Sequence, residues 1–428
     1  MGSQWMAREQ LTDLQTERMK KIVEHAYQNV QLYRRLYDST GVTPSSIRNL
    51  ASIARCPIVT KETFRRVPLD ERTAGGMDLT SCRPISTSGS TGATVTVLED
   101  PTSVAAGQAL KLRFMWEYGV RPLDKICKVW YDAGPTAAIG GKVPRPRFLA
   151  TLRNRGVWGY VRRRGIKEFP VTTHIDDHLA FMLKWKPDVL LSPASYCRAL
   201  IRLCELTGKS PTFKLVITGG EMLDKSTRTR ISDKFQAKVF DHYGANDVGG
   251  TIAWECPTYS GYHINAEFLY LEFLQDGVPV KSGNAGEVHV TCFNSTATPM
   301  IRYSVDDLAI PIDESCPCGR GLPLIRDIEG RKVDFISTHD GKYITPYAVI
   351  GVMDEAPEVE QYRVIQRRDY SIEVSVRTNS EEVDTVLRDV EKRCRRLFGK
   401  MPLDVKPMSS TRQTIVQKSR LVESQVTD

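Results

Sequence analysis

Between Lys125 and Ala245 short apolar runs alternate with amphipathic stretches, and this alternation limits the possible folds more than any other feature of the chain. "KICKVWYD", "DVLLSP", "FKLVITGGE" and "KVFDHYGA" read as strands; "HLAFMLKWKP", "ASYCRALIRLCELTG" and "DKSTRTRISDKF" read as helices, the second closing on a glycine stop. Strands that alternate with helices imply a largely parallel α/β sheet with helices on its faces. In such sheets ligands bind beyond the carboxyl ends of the strands, so the loops there are where chemistry is to be sought.

The flanks have a different texture. Residues from Glu9 to Ser39 carry Leu11, Leu14, Met19, Ile22, Val23, Ala26, Val30, Leu32 and Leu36 at helical spacing, which predicts one long amphipathic helix. The leading "MGSQ" reads as an expression remnant and is left out of the fold. Past Trp254, "FLYLEFL", "GEVHVTCF" and "MIRYSVDDLAI" between Gly, Asn and Pro turns predict β-rich structure. After "IEGRKVDFI", the runs "VEQYRVIQRR", "YSIEVSVRT" and "EEVDTVLRDVEKRCRRLFG" predict a small α+β unit. The boundary is placed near Asp334, which gives a large domain over 1–333 and a small one over 334–428.

Composition excludes several classes. With 428 residues, 41% hydrophobic and 26% charged, the chain can bury more than one core. No apolar run approaches the roughly 18 residues of a membrane span, and the start lacks the basic and apolar regions of a signal peptide, so a cytoplasmic protein is expected. Ten cysteines are too sparse for a disulfide scaffold, and Cys127, Cys197 and Cys204 sit in contexts typical of buried reduced thiols. The net charge of +8 is uneven: residues 142–167 hold nine Lys or Arg and no acid. A solvated basic loop, an anion-binding segment and, with Trp158 and Tyr160, a peripheral membrane contact all fit that stretch. A zinc-stabilised nucleic-acid-binding protein is the competing class; no nucleic-acid module is recognisable, so no nucleic-acid partner is expected.

The motifs favour a nucleotide site. "STSGSTGATVTV" places small and hydroxyl-bearing residues in a turn, where backbone N–H groups and hydroxyls can approach phosphate oxygens. No lysine follows Gly92, so this is not a P-loop, and a plain polar loop would look alike. "TGGE" (Thr218–Glu221) and "YGAND" (Tyr243–Asp247) each follow a predicted strand. Three such loops together suggest one nucleotide crevice. Cys256, His263, Cys316 and Cys318 form a second constellation. Two thiolates at a "CPCG" corner with a second Cys and a His could complete a tetrahedral Cys₃His zinc site. Buried free thiols remain the alternative, and His289 and Cys292 are the nearest competing ligands.

In order along the chain, "STSGSTGATV", "ITGGEML", "DHYGANDVGG", "PMIRYSVDDL" and "IEGRKVDF" resemble the motifs of adenylate-forming ligases. "HAYQNVQLYRRLYDSTGV", "PIVTKETFRR", "WECP" and "CPCGR" resemble the phenylacetate-CoA ligase branch and its CapK-type relatives. The resemblance spans roughly residues 20 to 350. It implies a large domain of mixed, largely parallel sheets with a β-rich subdomain and a mobile α+β lid. The activity implied is ATP-dependent, AMP-forming ligation: a carboxylate, with an aryl or arylacetic acid favoured, becomes an acyl-adenylate and is passed to CoA. An amine acceptor in natural-product or polysaccharide biosynthesis is the alternative.

The same resemblance assigns roles to individual positions. Ser88, Ser90, Thr91 and Gly92 would cradle the ATP phosphates. Gly219, Gly220 and Glu221 would face adenine, with Tyr243 and Gly244 beside it. Asp307 would accept the ribose hydroxyls, a pairing a carboxylate can make, and Arg331 would assist. Asp247 stands where the family usually has Glu and would bind Mg²⁺. Asp334 would be the hinge, and Lys418 the adenylation lysine that meets charge on the α-phosphate. The zinc, having four protein ligands, would be structural. Oligomeric state is not legible, though a homodimer is common in the family.

Overall fold

The computed structural model describes residues 2–86, 95–131, 165–331, 335–339, 343–354, 356, 358–378, 380–408 and 422–426. Two helices, α1 (Arg8–Asn29) and α2 (Gln31–Thr40), stand where the periodicity predicts one. Val30 separates them in an extended conformation, φ −121° and ψ 116°. The break lets the Leu32 amide reach the Glu71 carbonyl at 2.9 Å while Val30, Tyr33 and Tyr37 stay buried.

The first residues are part of the fold, contrary to their reading as a remnant. Gln4 is buried; its Nε2 donates to Glu117 at 2.9 Å, and its Oε1 accepts from Arg320 Nε at 3.1 Å. Ser3 Oγ donates to Glu267 at 2.7 Å.

A short helix α3 (Lys61–Arg66) starts at the Thr60 cap, whose hydroxyl accepts from the Thr63 amide. The hairpin of β1 (Arg83–Ser86) and β2 (Thr96–Glu99) brackets the serine-rich turn. Helix α4 (Pro101–Glu117) follows, capped by Asp100, which accepts from the Thr102 and Ser103 amides.

Among the described residues the large sheet has twelve strands. Its first half comprises β3 (Ile126–Trp130), β4 (Ile166–Pro170), β5 (Val189–Leu191), β6 (Leu215–Gly219) and β7 (Lys238–Ala245). All pair in parallel, in the order β4-β3-β5-β6-β7. Helices α5 (Ile175–Trp185), α6 (Ala194–Thr207) and α7 (Lys225–Phe235) provide the crossovers, and their apolar faces join Val129, Leu190, Val216 and Val239 in one core.

The second half comprises β8 (Gly250–Glu255), β9 (Tyr262–Ile264), β10 (Leu269–Gln275), β11 (Val278–Pro279), β12 (Gly286–Cys292), β13 (Tyr303–Ile312) and β14 (Leu324–Arg331). These pair antiparallel, as the change of texture predicts. The antiparallel β7–β8 pairing carries the sheet without interruption from one half to the other.

Beyond residue 334, β15 (Ile336–Ser337) and β16 (Tyr343–Ile344) form a small ladder, followed by α8 (Pro346–Asp354). Then β17 (Val359–Gln366), β18 (Ile372–Thr378), β19 (Leu403–Pro407) and β20 (Val422–Ser424) form a four-stranded sheet in the order β19-β18-β17-β20. Helix α9 (Val383–Phe398) packs Val386, Val390, Cys394 and Phe398 into a core of its own with Val364, Val374 and Val376. This is the strand, strand, helix unit expected there. No helix among the described residues is long and apolar enough to cross a membrane.

Candidate active site

The carboxyl ends of β3, β6 and β7 come together: Trp130 lies against Gly220 and near-parallel to His242. At the end of β6, Gly219 has to be glycine because a Cβ there would lie 2.2 Å from Cε1 of His242. The Glu221 carboxylate accepts from the Ser195 amide and hydroxyl, both at 2.9 Å, and from the Tyr131 phenol. It therefore ties the ends of β3 and β6 to the start of α6. What this corner presents to a ligand is the Gly219–Gly220 backbone, while the Glu221 carboxylate is already engaged.

Successive residues of a strand face opposite ways, and at the end of β7 this splits the crevice in two. Tyr243 points to one side, where its phenol donates to Oδ2 of Asp307 at 2.7 Å. Asp307 pairs in register with Arg331 across β13 and β14, and Arg331 Nε lies 3.6 Å from Oδ1. Burial raises the Asp307 carboxyl above the usual carboxylate range, with Arg331 and the Tyr243 phenol pulling it back. His242 points to the other side, near-parallel to Phe114 and Trp130. Gly244 serves the turn itself, since a Cβ there would meet the Gly250 carbonyl oxygen at 2.3 Å.

Asp247 follows in the short helical turn Asn246–Val248 and is buried. Tyr303 donates to its Oδ2 at 2.8 Å, and Lys61 Nζ approaches the same oxygen at 3.7 Å. Lys61 also lies 3.8 Å from Oδ2 of Asp306, a residue held at φ +64°. The sequence reading assigned no role to Lys61, although it sits in the quoted "PIVTKETFRR". Its placement depends on tertiary structure. Val59 donates to the Arg302 carbonyl at 3.1 Å and accepts from the Ser304 amide at 2.9 Å, so the segment before α3 docks on the start of β13. The Thr60 cap then starts the helix with Lys61 over the two acids. Buried Arg302 anchors this junction through two 2.9 Å bonds to Glu272 and further bonds to the Ala54 and Cys56 carbonyls.

The four residues of the second constellation come together. One ligand atom from each of Cys256, His263, Cys316 and Cys318 lies within 4.8 Å of all the others. The Cys256 and Cys316 sulfurs are 3.5 Å apart, and Cys318 Sγ is 3.2 Å from His263 Nε2. Cys256 directly follows β8 and His263 lies on β9, while the "CPCG" corner falls in the connection from β13 to β14. Burial pushes His263 down to about 4, which leaves its imidazole neutral, the form that ligates metal. His289 and Cys292, the competing candidates, lie on β12 and take no part.

Ser88, Ser90, Thr91, Gly92, Asp334, Lys418 and the basic stretch from 142 to 164 fall outside the described residues.

Comparison with known proteins shows what the chain is similar to. No protein-family model matches the chain. It is 25% identical over 385 residues to the phenylacetate-coenzyme A ligase of Thermus thermophilus, covering 86% of this chain and 81% of that one. With the phenylacetate-coenzyme A ligase of Escherichia coli the identity is 29% over 311 residues, covering 70% and 67%. Among solved structures, a 2-hydroxyisobutyryl-CoA ligase in its postadenylation state superposes with a TM-score of 0.80 at 18% identity, over 99% of this chain and 92% of that one. ATP-bound MatB from Rhodopseudomonas palustris superposes with a TM-score of 0.51 at 18% identity, over 78% and 65%. The fold is that of the adenylate-forming ligases.

Proposed function

We propose, for a chain that has the adenylate-forming ligase fold and resembles phenylacetate-CoA ligases in sequence, that it is an ATP-dependent, AMP-forming acid–CoA ligase. The observation that carries this reading is the part-buried Asp307 carboxylate, set between Tyr243 and Arg331 beside the Gly219–Gly220 corner. In the first half-reaction an oxygen of the substrate carboxylate attacks the α-phosphorus, the bond to the bridging oxygen breaks and pyrophosphate leaves. In the second, the CoA sulfur attacks the acyl carbon, AMP leaves and the thiol proton passes to solvent.

Each group in the crevice has a task in this scheme. The backbone at Gly219–Gly220 borders the adenine, with Tyr243 beside it. Asp307 accepts from the ribose hydroxyls, which take over from the Tyr243 phenol, and Arg331 keeps the acid ionised. Lys61 adds a cation beside Asp247 that can meet phosphate charge. The residues fit a magnesium ion: Asp247 is a hard carboxylate whose Oδ1 has no partner among the described residues. Magnesium bound there supplies charge neutralisation to the phosphates. Ser88, Ser90, Thr91 and Gly92 take the β- and γ-phosphates and Lys418 the α-phosphate, as the resemblance implies.

Residues 1–333 and 334–428 act as body and lid in this proposal, turning about Asp334 between the half-reactions. Cys256, His263, Cys316 and Cys318 hold a structural zinc, since four protein ligands leave no open position for catalysis. CoA is taken as the acceptor because the relatives named above are CoA ligases; an aryl or arylacetic acid is the expected substrate on the same ground. The test is acid-dependent exchange of labelled pyrophosphate into ATP, run without CoA over aryl, arylacetic and short-chain acids. Exchange that requires one class of acid supports the reading. Absence of exchange with every acid, alongside saturable ATP binding, would overturn it.

A further inference from the structure

We infer that His242 is a specificity residue of the acyl pocket, and that its Nε2 selects an apolar or aromatic acid bearing a hydroxyl group on its acyl part. The inference rests on the ligase reading above and adds to it the chemistry of the acid. Tyr243 marks the ribose side of the crevice, and the pleat sends the neighbouring His242 to the opposite face. On that face the imidazole stacks on Phe114, with ring centres 5.1 Å apart, and on Trp130, 6.0 Å apart, and it also feels the charge of Lys111. Trp130 also walls Gly220, where a Cβ would lie 3.4 Å from its ring.

The tautomer follows from a single contact. His242 Nδ1 lies 2.6 Å from the Thr218 carbonyl oxygen, and a carbonyl can only accept, so Nδ1 carries the proton. Burial pushes the imidazole down to about 4, so near neutral pH the ring is uncharged and Nε2 holds a lone pair. Nε2 has no hydrogen-bond partner among the described residues. It is also absent from the sealed, unpartnered polar atoms, and the residue is only partly buried, so the lone pair is open to the crevice. The missing Cβ of Gly219 is what lets the ring lie in this position. An aromatic wall with one fixed acceptor rewards a ligand that brings one donor there; a ligand lacking it leaves the acceptor desolvated and unpaired.

The experiment uses the full chain and non-hydrolysable acyl-sulfamoyl adenosines, which keep the nucleotide constant while the acyl group varies. Phenylacetyl, the three ring-hydroxylated phenylacetyl isomers and mandelyl compounds are titrated by calorimetry, with adenosine sulfamate as the nucleotide control. At least one hydroxylated compound is expected to bind ~10-fold or more tightly than phenylacetyl. His242→Leu should erase that ratio, and His242→Gln, whose amide oxygen can accept, should keep part of it. Equal or weaker binding of every hydroxylated compound to the wild type overturns the inference, and so does a preference that survives His242→Leu. These outcomes leave the ligase reading standing. If neither adenosine sulfamate nor any acyl compound binds, the nucleotide crevice itself is refuted, and this inference with it. The wild-type ratio decides the matter even if His242→Leu does not fold.

Discussion

The Tyr243 phenol and the Asp307 carboxylate meet at 2.7 Å across two strands, with Arg331 on the far oxygen at 3.6 Å. A part-buried acid held by a neutral donor on one side and a cation on the other is ready to exchange the phenol for a sugar hydroxyl. Asp307→Asn should lower kcat/KM for ATP by ~10- to 100-fold, the range expected for hydrogen bonds to a charged group. Tyr243→Phe, which leaves the carboxylate intact, should cost less. Steady-state pyrophosphate release at varied ATP measures both, and an unimpaired Asp307→Asn would remove Asp307 from the site.

Lys61 stands over Asp247 and Asp306, 3.7 and 3.8 Å from their oxygens. Lys61→Met leaves the two acids facing the phosphates without that cation, so ATP-dependent exchange should fall ~10-fold or more, and Lys61→Arg should recover part of the loss. Equal exchange rates in wild type and Lys61→Met would make the lysine a surface counter-ion only.

The Cys₃His cluster predicts about one zinc per chain by elemental analysis. Cys316→Ser with Cys318→Ser should abolish the metal and lower the thermal midpoint by several degrees. The Arg320–Gln4 bond lies next to that corner, so protection of the first residues from proteolysis should be lost together with the metal. Protein that folds fully under strong chelation, with unchanged midpoint, would leave the four residues as buried thiols and a histidine.

Behind β7, Glu255 accepts from Arg228 and from the Asp241 amide, and burial lifts its carboxyl to about 7, against the pull of Arg228. The folded protein holds a proton there that the unfolded chain releases near 4.5. This residue's contribution to stability therefore falls as pH rises from about 4.5 to about 7. Glu255→Gln cannot titrate, so denaturant unfolding should show wild type gaining on the variant as pH is lowered from 8 to 5, by about 3 kcal/mol at most. A gap that is flat or widens the other way would contradict the assignment.

Local pattern carried the parts of this fold that local pattern determines. The alternation from Lys125 to Ala245 gave four of the five parallel strands and their crossover helices, while β4 lay hidden at the end of the basic stretch, and the residues around "CPCG" gave four side chains that converge. Asp307 and Arg331 were legible because each sits in a motif, and their facing register completes the pair. What stayed hidden depends on distant contacts. Lys61 acquires its place only because Val59 docks on the start of β13, and Val30 breaks the first helix so that Leu32 can reach Glu71. The engagement of Glu221 by Tyr131 and Ser195 likewise has no signature in "TGGE". The change of texture past Trp254 marks where pairing changes direction within one sheet that runs on through β7 and β8.

The most direct test of the account follows oxygen atoms. With a substrate acid labelled by ¹⁸O in both carboxyl oxygens, attack on the α-phosphorus must leave one labelled oxygen in AMP once CoA has taken the acyl group. Mass spectrometry of the nucleotide should find AMP carrying a single ¹⁸O in amounts equal to the thioester formed. Label in inorganic phosphate with release of ADP, or unlabelled AMP, would show that no acyl-adenylate is made and would contradict the central claim.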